Sequence, residues 1–234
     1  MNTKKTCNVL WQLKKFDLLS RLNESQLEEL SSWIKDFKFQ KGELIYLPGE
    51  PSESVYFLKQ GKVKLSYVGP EGKEFTVSIL DEGEPFGEMS LVGEQDRSLK
   101  AEALDKVVLC TVSKRDFLHF TNQVPELSLK VAKKVGQHRR EIQNNLTDLL
   151  FKDVPTRLAG ILDKLADQYG EESEKGVKIK PSLTHEEIAK LIGSTRETTT
   201  ANLNKFESEG LIEKGRGNIV VKDKSGLRDR ASLN

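Results

Sequence analysis

The sequence predicts an α+β fold in three parts: an N-terminal β-roll of the jelly-roll kind, a long helix, and a C-terminal winged helix-turn-helix. Three observations carry this expectation. Between Phe37 and Val112, short β-prone runs alternate with turn signals. After Val124-Pro125 a helical pattern runs without a break to Leu150. Beyond Leu183, two short capped helical segments meet at a glycine and are followed by two more β-prone runs. The expected divisions are 1–124 for the roll, 125–150 for the long helix and 151–234 for the remainder.

The elements follow in order. In "LNESQLEELSSWI", Asn23 and Gln26 form a capping box, and Leu27, Leu30 and Ile34 recur at helical spacing. The β-prone runs are "ELIYL", "SVYFLKQG", "KVKLSYVG", "EFTVSIL" and "KVVLCTV", divided by "PGEPSE", "QGK", "GPEGKE" and "DEGEPFGE". Regular short strands with Gly-containing turns indicate a sandwich or barrel-like roll. Ser113, with Asp116 three residues on, starts the next helix.

The long helical pattern covers about 25 residues, or roughly 37 Å at helical rise. Val131, Val135, His138, Ile142, Asn145 and Leu149 follow a 4-3-4-3-4 spacing. This heptad seam needs a second surface, and a helix of a second copy suits it, with Asn145 fixing register. Packing of the same face on the chain's own roll is the alternative. Then "FKDVPT" breaks the pattern: Asp153 suits an N-cap and Pro155 a first helical turn. A hinge is expected near Phe151, and "GEESEKGVKIKPS" reads as a polar loop.

Bulk composition narrows the function classes. The 234 residues carry 36% hydrophobic and 31% charged side chains and a formal net charge of +1. No apolar run approaches the roughly 18 residues of a membrane-spanning helix. The N-terminal stretch lacks the apolar core of a secretory signal. Two distant cysteines, Cys7 and Cys110, match neither a disulfide framework nor a zinc spacing, so a reducing cytoplasmic compartment is expected. No nucleophile–base pair or paired-carboxylate constellation marks an enzyme. With so balanced a charge, any nucleic-acid binding must come from local placement of basic groups.

That placement is found in "LTHEEIAKLIGSTRETTTANLNKFESEGLIEKGRGNIVV". Thr184 and Glu187 form a capping box for a helix carrying Ile188, Leu191 and Ile192, and Gly193 supplies the turn. Ser194 or Thr195 caps a second helix whose inward positions are Thr199, Leu203 and Phe206. "LIEKGRGNIVV" reads as a two-stranded wing. In a helix-turn-helix the second helix enters the major groove of DNA, so Arg196, Glu197, Thr200 and Ala201 are the expected base readers. The arginine fork fits guanine O6 and N7, and glutamate accepts from cytosine N4. Lys190, Thr195, Thr198, Lys205 and Arg216 are expected phosphate contacts.

The order of parts, with "IGSTRETTT" on the recognition helix, resembles the cyclic-AMP receptor protein/FNR family of bacterial transcription regulators. The resemblance spans nearly the whole chain. It implies a homodimer on a pseudo-palindromic double-stranded DNA site, an activator's contact with RNA polymerase, and no membrane partner. By the same resemblance, "FGEMSLVGEQDRS" matches the family's phosphate-binding cassette. Gly87 and Glu88 would then hold a ribose hydroxyl, and Arg97 and Ser98 a cyclic phosphate, with cyclic AMP the favoured effector. Glu88 and Arg97 bonding each other in an empty cage is the alternative.

Two positions depart from the family pattern. Where nucleotide-binding members place a Thr-Ser-like pair facing adenine, this chain has Ile142 and Gln143, of which only Gln143 can hydrogen-bond. Ala201 stands where many members carry a base-reading arginine, so relaxed preference is expected at one neighbouring base. An iron–sulfur cluster would need four cysteines, and the three histidines, His119, His138 and His185, lie in separate helical regions, so neither that cluster nor haem nor another metal is expected. Regulation without a ligand, or a cyclic-nucleotide-binding regulatory module of another protein, are the competing readings. The second would not need the helix-turn-helix.

Overall fold

The computed structural model of the protein describes residues 13–180, 182–215 and 218–232. They form two compact units, one of the described residues within 13–68 and 78–140, the other of those within 69–77 and 141–232.

In the first unit, α1 (Glu24–Ser32) begins at the capping box expected of it: the Asn23 side chain accepts from the Gln26 amide, and Gln26 reaches back to the Asn23 amide. Eight strands follow, of which β5 begins in residues of the second unit: β1 (Lys35–Phe39), β2 (Leu44–Tyr46), β3 (Ser54–Gln60), β4 (Val63–Val68), β5 (Glu74–Leu80), β6 (Pro85–Phe86), β7 (Lys100–Ala103) and β8 (Val107–Ser113). They make two four-stranded sheets, ordered β1-β8-β3-β6 and β2-β7-β4-β5. The long pairing of β3 with β8 sets Val55 against Val112 and Phe57 against Cys110. Side chains alternate across a strand, and here each face meets its own core. Val55, Phe57, Cys110 and Val112 pack with Leu27, Leu30, Phe117, Phe120, Leu127 and Val131 from the helical side. Leu58, Val107 and Leu109 pack with Val63, Leu65, Phe86, Ala101 and Ala103 of the roll interior. Burial pushes the Cys110 thiol up to about 12, so it stays protonated and unreactive at neutral pH.

The β-prone runs became β2, β3, β4, β5 and β8, but β1, β6 and β7 were not foreseen. The segment "KDFKF" of β1 is mostly exposed and is held by its ladder to β8. The segment "KAEA" of β7 has no β-branched residue. It is a strand because it lies between β2 and β4, with Ala101 and Ala103 small enough for the crowded interior.

Ser113 caps α2 (Lys114–Gln123) by accepting from the Asp116 amide, and α3 (Pro125–Phe151) follows at once. Of the expected seam of α3, Val131, Val135 and His138 pack on the chain's own roll, the alternative weighed in the sequence, whereas Asn145 and Leu149 meet residues of the second unit and Ile142 stays open. Val131 is buried in the helical-side core and Val135 packs against it. His138 stands beside Glu88. In the second unit Asn145 Nδ2 donates to the Val77 carbonyl at 3.3 Å, and Leu149 is half-buried near Gly193. Of the six, Ile142 is the most open, at 39% exposure. The large apolar side chains that α3 leaves exposed are Leu129, Ile142, Leu146, Leu150 and Phe151. The physical reason for the difference is that a heptad pattern shows only that a helix has an apolar face. It does not show what covers it.

The second unit is built around α4 (Val154–Tyr169). Asp153 caps it through the Thr156 amide, Pro155 sits in its first turn, and Leu158, Leu162 and Leu165 form its buried face. The segment read as a polar loop is instead a hairpin of β9 (Gly170–Ser173) and β10 (Gly176–Ile179). With β11 (Ile212–Gly215) and β12 (Asn218–Val221) it makes a sheet ordered β11-β12-β10-β9. Gly176 shows why the chain can pair there: its φ is +127°, and a Cβ would stand 2.2 Å from the Val221 carbonyl oxygen. Between the hairpins run α5 (His185–Ile192) and α6 (Arg196–Ser208). A final helix, α7 (Lys224–Ala231), unforeseen in the sequence, returns to α4, where Arg228 pairs with Asp163 and Asp167 at 3.1 and 3.2 Å.

Candidate ligand site and nucleic-acid interface

In the roll, Phe86 ends β6 and the chain enters a 3-10 turn, Glu88–Val92, through Gly87. Gly87 has φ +74°, and a Cβ there would lie 2.8 Å from Arg97 Nη1 and 3.1 Å from the Ser54 carbonyl oxygen. Only glycine allows the guanidinium to sit so close.

Arg97 is 4% exposed. Its Nη1 donates to the Gly87 carbonyl at 3.1 Å and its Nη2 to the Ser54 carbonyl at 2.5 Å. Its Cζ lies 4.6 Å from the ring centre of Tyr46 and 5.3 Å from that of Tyr56. Tyr56 in turn stacks on Phe86. The rings attract the cation and fix its plane, while burial raises the pKa of the Tyr46 and Tyr56 hydroxyls, which remain neutral. Among the described residues no carboxylate forms an ion pair with Arg97.

Glu88 is 1% exposed, and neither of its carboxylate oxygens makes a hydrogen bond. His138 of α3 brings Nδ1 to 2.7 Å from Oε1, within ion-pair distance. The direct Glu88–Arg97 bond weighed in the sequence is therefore absent: each turns to other partners. Oε1 thus has His138 beside it while Oε2 has no partner; a buried carboxylate oxygen left so is costly, and a hydroxyl donor arriving in the roll would relieve it.

Ser98 follows Arg97 at the surface. Its amide and hydroxyl donate to Glu94 Oε1 at 3.1 and 2.6 Å, and the buried Ser52 hydroxyl donates to Glu94 Oε2 at 3.0 Å. Gln143 belongs to the second unit, where its side chain is exposed.

Sequence reasoning thus named Gly87, Glu88, Arg97 and Ser98, and the structure brings all four to one loop. It missed Tyr46, Tyr56, Ser52, Ser54 and Glu94, and placed His138 on the seam. The spacing of Val131, Val135 and His138 held a signal for the last: on one helical face, a histidine following two core valines points inward too.

In the second unit, α5 and α6 form the helix-turn-helix. Thr184 accepts from the Glu187 amide, and Glu187 Oε2 accepts from the Thr184 amide at 2.6 Å. Gly193 ends α5 in the left-handed region at φ +59°. Arg157 of α4 braces the turn, its Nε donating to the Ile192 carbonyl at 2.8 Å. Thr195 caps α6 through the Thr198 amide, and Thr199, Leu203 and Phe206 turn inward. This leaves Arg196, Glu197, Thr198, Ala201 and Lys205 exposed.

Two of the expected contacts are engaged within the protein. Lys190 Nζ lies 3.1 Å from Glu74 Oε2 and 3.9 Å from Glu186 Oε1. The half-buried Thr200 Oγ1 is 2.9 Å from His185 Nδ1. Burial, then the positive charges of Lys214 and Arg196, lower the His185 pKa and favour its neutral ring. Arg216 lies outside the described residues, as does Cys7, but β11 and β12 pair from Ile212–Val221 to Gly215–Asn218 around it, as a wing requires.

A roll carrying a buried cation and carboxylate, and a helix-turn-helix with exposed polar groups, define a class: DNA-binding proteins with a small-molecule-binding type of domain. Comparison with known proteins bears this out. Residues 36–124 match the cyclic nucleotide-binding domain family and residues 156–230 the Crp-like helix-turn-helix domain family. A global nitrogen regulator of Synechocystis is 34% identical over 185 residues, covering 78% of this chain and 82% of that protein. A CRP-like cAMP-activated global transcriptional regulator of Mycobacterium tuberculosis is 28% identical over 219 residues, covering 94% and 98%. Among solved structures, a CRP/FNR-family transcriptional regulator from Thermus thermophilus is 31% identical with a TM-score of 0.72, covering 85% of this chain and 99% of that one. The chain belongs to the Crp/Fnr family of transcription regulators.

None of its described helices is long and apolar enough to cross a membrane.

Proposed function

We propose that the protein is a homodimeric, cytoplasmic, sequence-specific DNA-binding regulator of transcription, gated by a cyclic nucleotide, with cyclic AMP favoured. In this reading the roll (1–124) senses the nucleotide, the long helix (125–150) joins two copies, and residues 151–234 bind a pseudo-palindromic site and act as an activator with RNA polymerase. The observation that carries the ligand is the pair of buried groups in the roll. Arg97 is a desolvated cation bonded only to neutral partners, suited to an anionic phosphate. Glu88 has a buried acceptor oxygen, Oε2, without a partner, suited to a sugar hydroxyl. The printed name of the M. tuberculosis relative, a cAMP-activated regulator, supports the same effector.

Dimerisation is supported by Leu146, Leu150 and Phe151, which α3 leaves 55%, 67% and 75% exposed. With Ile142, the exposed position of the expected Val131–Leu149 seam, this apolar run is the surface offered to a second copy. DNA recognition is assigned to Arg196 and Glu197 as base readers, with Ala201 beside them, and to Thr195, Thr198 and Lys205 at phosphates. The ligand would act by shifting a population between two arrangements, as far as its affinities for them differ.

The test is calorimetric titration with cyclic AMP and cyclic GMP, followed by DNA-binding assays at fixed salt with and without ligand. Saturating heat in wild type that vanishes in Arg97→Ala, with tighter DNA binding in the presence of cyclic AMP, is the expected result. Absence of heat, with unaltered specific DNA binding, would replace gating by ligand-independent regulation.

A further inference from the structure

The cassette already holds an anion of its own. Glu94 lies three residues before Arg97, and its carboxylate is bound by three donors: the Ser98 amide at 3.1 Å, the Ser98 hydroxyl at 2.6 Å and the Ser52 hydroxyl at 3.0 Å. Ser52 is 1% exposed and its amide is itself fixed on the Gln95 carbonyl at 2.7 Å. The loop is clamped further by the Arg97 amide on the Glu50 carbonyl at 2.8 Å and the Gly49 amide on the Arg97 carbonyl at 2.9 Å. The Ser98 donors are thus positioned by a stiff backbone, and the carboxylate on them is that of a neighbouring loop residue.

The chemistry makes this occupancy exclusive. A backbone amide offers one N–H and a serine hydroxyl one O–H. Both Ser98 donors point at Glu94 Oε1, so a phosphate oxygen can take them only when that carboxylate leaves. The carboxylate also carries the same sign of charge as the phosphate, and it disfavours a second anion close by. Arg97 has no such occupant: its Nη groups bond carbonyls, and among the described residues no carboxylate pairs with it.

Resting on the proposed nucleotide site, we propose that Glu94 is a tethered competitor for the ligand's phosphate: it caps the Ser98 and Ser52 donors in the free protein and must be displaced for a cyclic nucleotide to engage them. Glu94 therefore sets the threshold concentration at which the roll fills, while Arg97 supplies the attraction. Ser52 acts through Glu94, as a positioning residue that holds the carboxylate down.

The test compares wild type, Glu94→Ala, Glu94→Gln and Ser52→Ala in the full-length protein. Cyclic AMP is titrated calorimetrically, and the Ser98 amide is followed by NMR. Glu94→Ala is expected to bind cyclic AMP on the order of tenfold more tightly than wild type. Ser52→Ala is expected to bind a few-fold more tightly, and the Ser98 amide resonance of free Glu94→Gln should move upfield as its charged acceptor is lost. Equal or weaker nucleotide binding by Glu94→Ala, with wild type binding normally, overturns the proposal and leaves the nucleotide site standing. Should no variant bind a cyclic nucleotide, the nucleotide reading fails by itself, and inorganic phosphate at the Ser98 amide decides this one. Saturation of Glu94→Ala at lower phosphate than wild type supports the competitor, and identical titrations overturn it. Thermal melting of each variant separates these effects from unfolding.

Discussion

The roll and the helix-turn-helix treat their polar groups in opposite ways. In the helix-turn-helix, backbone ends are capped by local side chains, such as Thr184 with Glu187 and Thr195 with Thr198, and the expected base readers Arg196 and Glu197 stand in solvent. In the roll, Arg97 and Glu88 are almost fully buried, and of the two Glu88 oxygens only Oε1 has a partner, His138. A surface made to meet a large polyanion can wait in water at little cost. A charged group held inside a fold has lost its contact with bulk water, so it is costly wherever its partners are few. The difference teaches where each unit is vulnerable: the helix-turn-helix to loss of its core, the roll to any change around its buried charges.

The sharpest way to break this comparison is through the apolar support of α6. Leu203 is 0% exposed, and Leu203→Ala should cost about 2–5 kcal/mol of stability. Chemical denaturation should show the second unit melting first, while cyclic-nucleotide heat in the roll persists. Loss of both together would mean that the units unfold as one.

Next in size is Gly87→Ala. The positive φ costs about 1–3 kcal/mol for a side chain, and the added Cβ meets Arg97 Nη1 at 2.8 Å. A lowered melting temperature and abolished ligand heat are expected, with DNA affinity of the unliganded protein unchanged.

Arg196→Ala should leave the melting temperature where it is, because the side chain is exposed. Affinity for the specific site should fall by about 1–3 kcal/mol, with relaxed choice at one guanine. Measured at constant salt on specific and random duplexes, an equal loss on both would reassign Arg196 from base to phosphate.

The smallest expected effect is at the start of α4. Hydrogen bonds from the Thr156 side chain and amide lower the Asp153 pKa below the ordinary value of 3.8. A lowered folded-state value means that this cap stabilises the fold above the ordinary pKa and is lost as pH falls through the lower one. Asp153→Ala should cost about 1 kcal/mol at neutral pH, and the gap to wild type should close in melts taken at increasingly acid pH.

How much could be read from the residues follows the same division. The capping boxes, the Gly193 turn, the Asp153–Pro155 restart and the inward row Thr199, Leu203, Phe206 were legible because each is decided within a few residues along the chain. Strands β1 and β7 were not, since "KDFKF" and "KAEA" become strands only beside β8, β2 and β4. The polar segment Gly170–Ile179 was read as a loop because its first half, "GEESEKG", is wholly polar and the alternation in "VKIK" is short. It pairs because β12 offers an edge and Gly176 has no side chain to obstruct it. Within the site, Gly87 to Ser98 is one contiguous motif and could be named. Tyr46, Ser52, Ser54, Tyr56 and His138 come from distant strands and a helix.

By itself, then, the sequence determined the α+β class, the order of roll, long helix and helix-turn-helix, and the caps, since short-range hydrogen bonding and side-chain period suffice for these; the cassette was legible through its resemblance to the family. Only the tertiary structure decided which face of α3 is covered, that His138 rather than Arg97 stands beside Glu88, and that Glu94 occupies the Ser98 donors. Those outcomes depend on which groups meet across the fold, and a buried charge takes whichever partner the packing brings within reach.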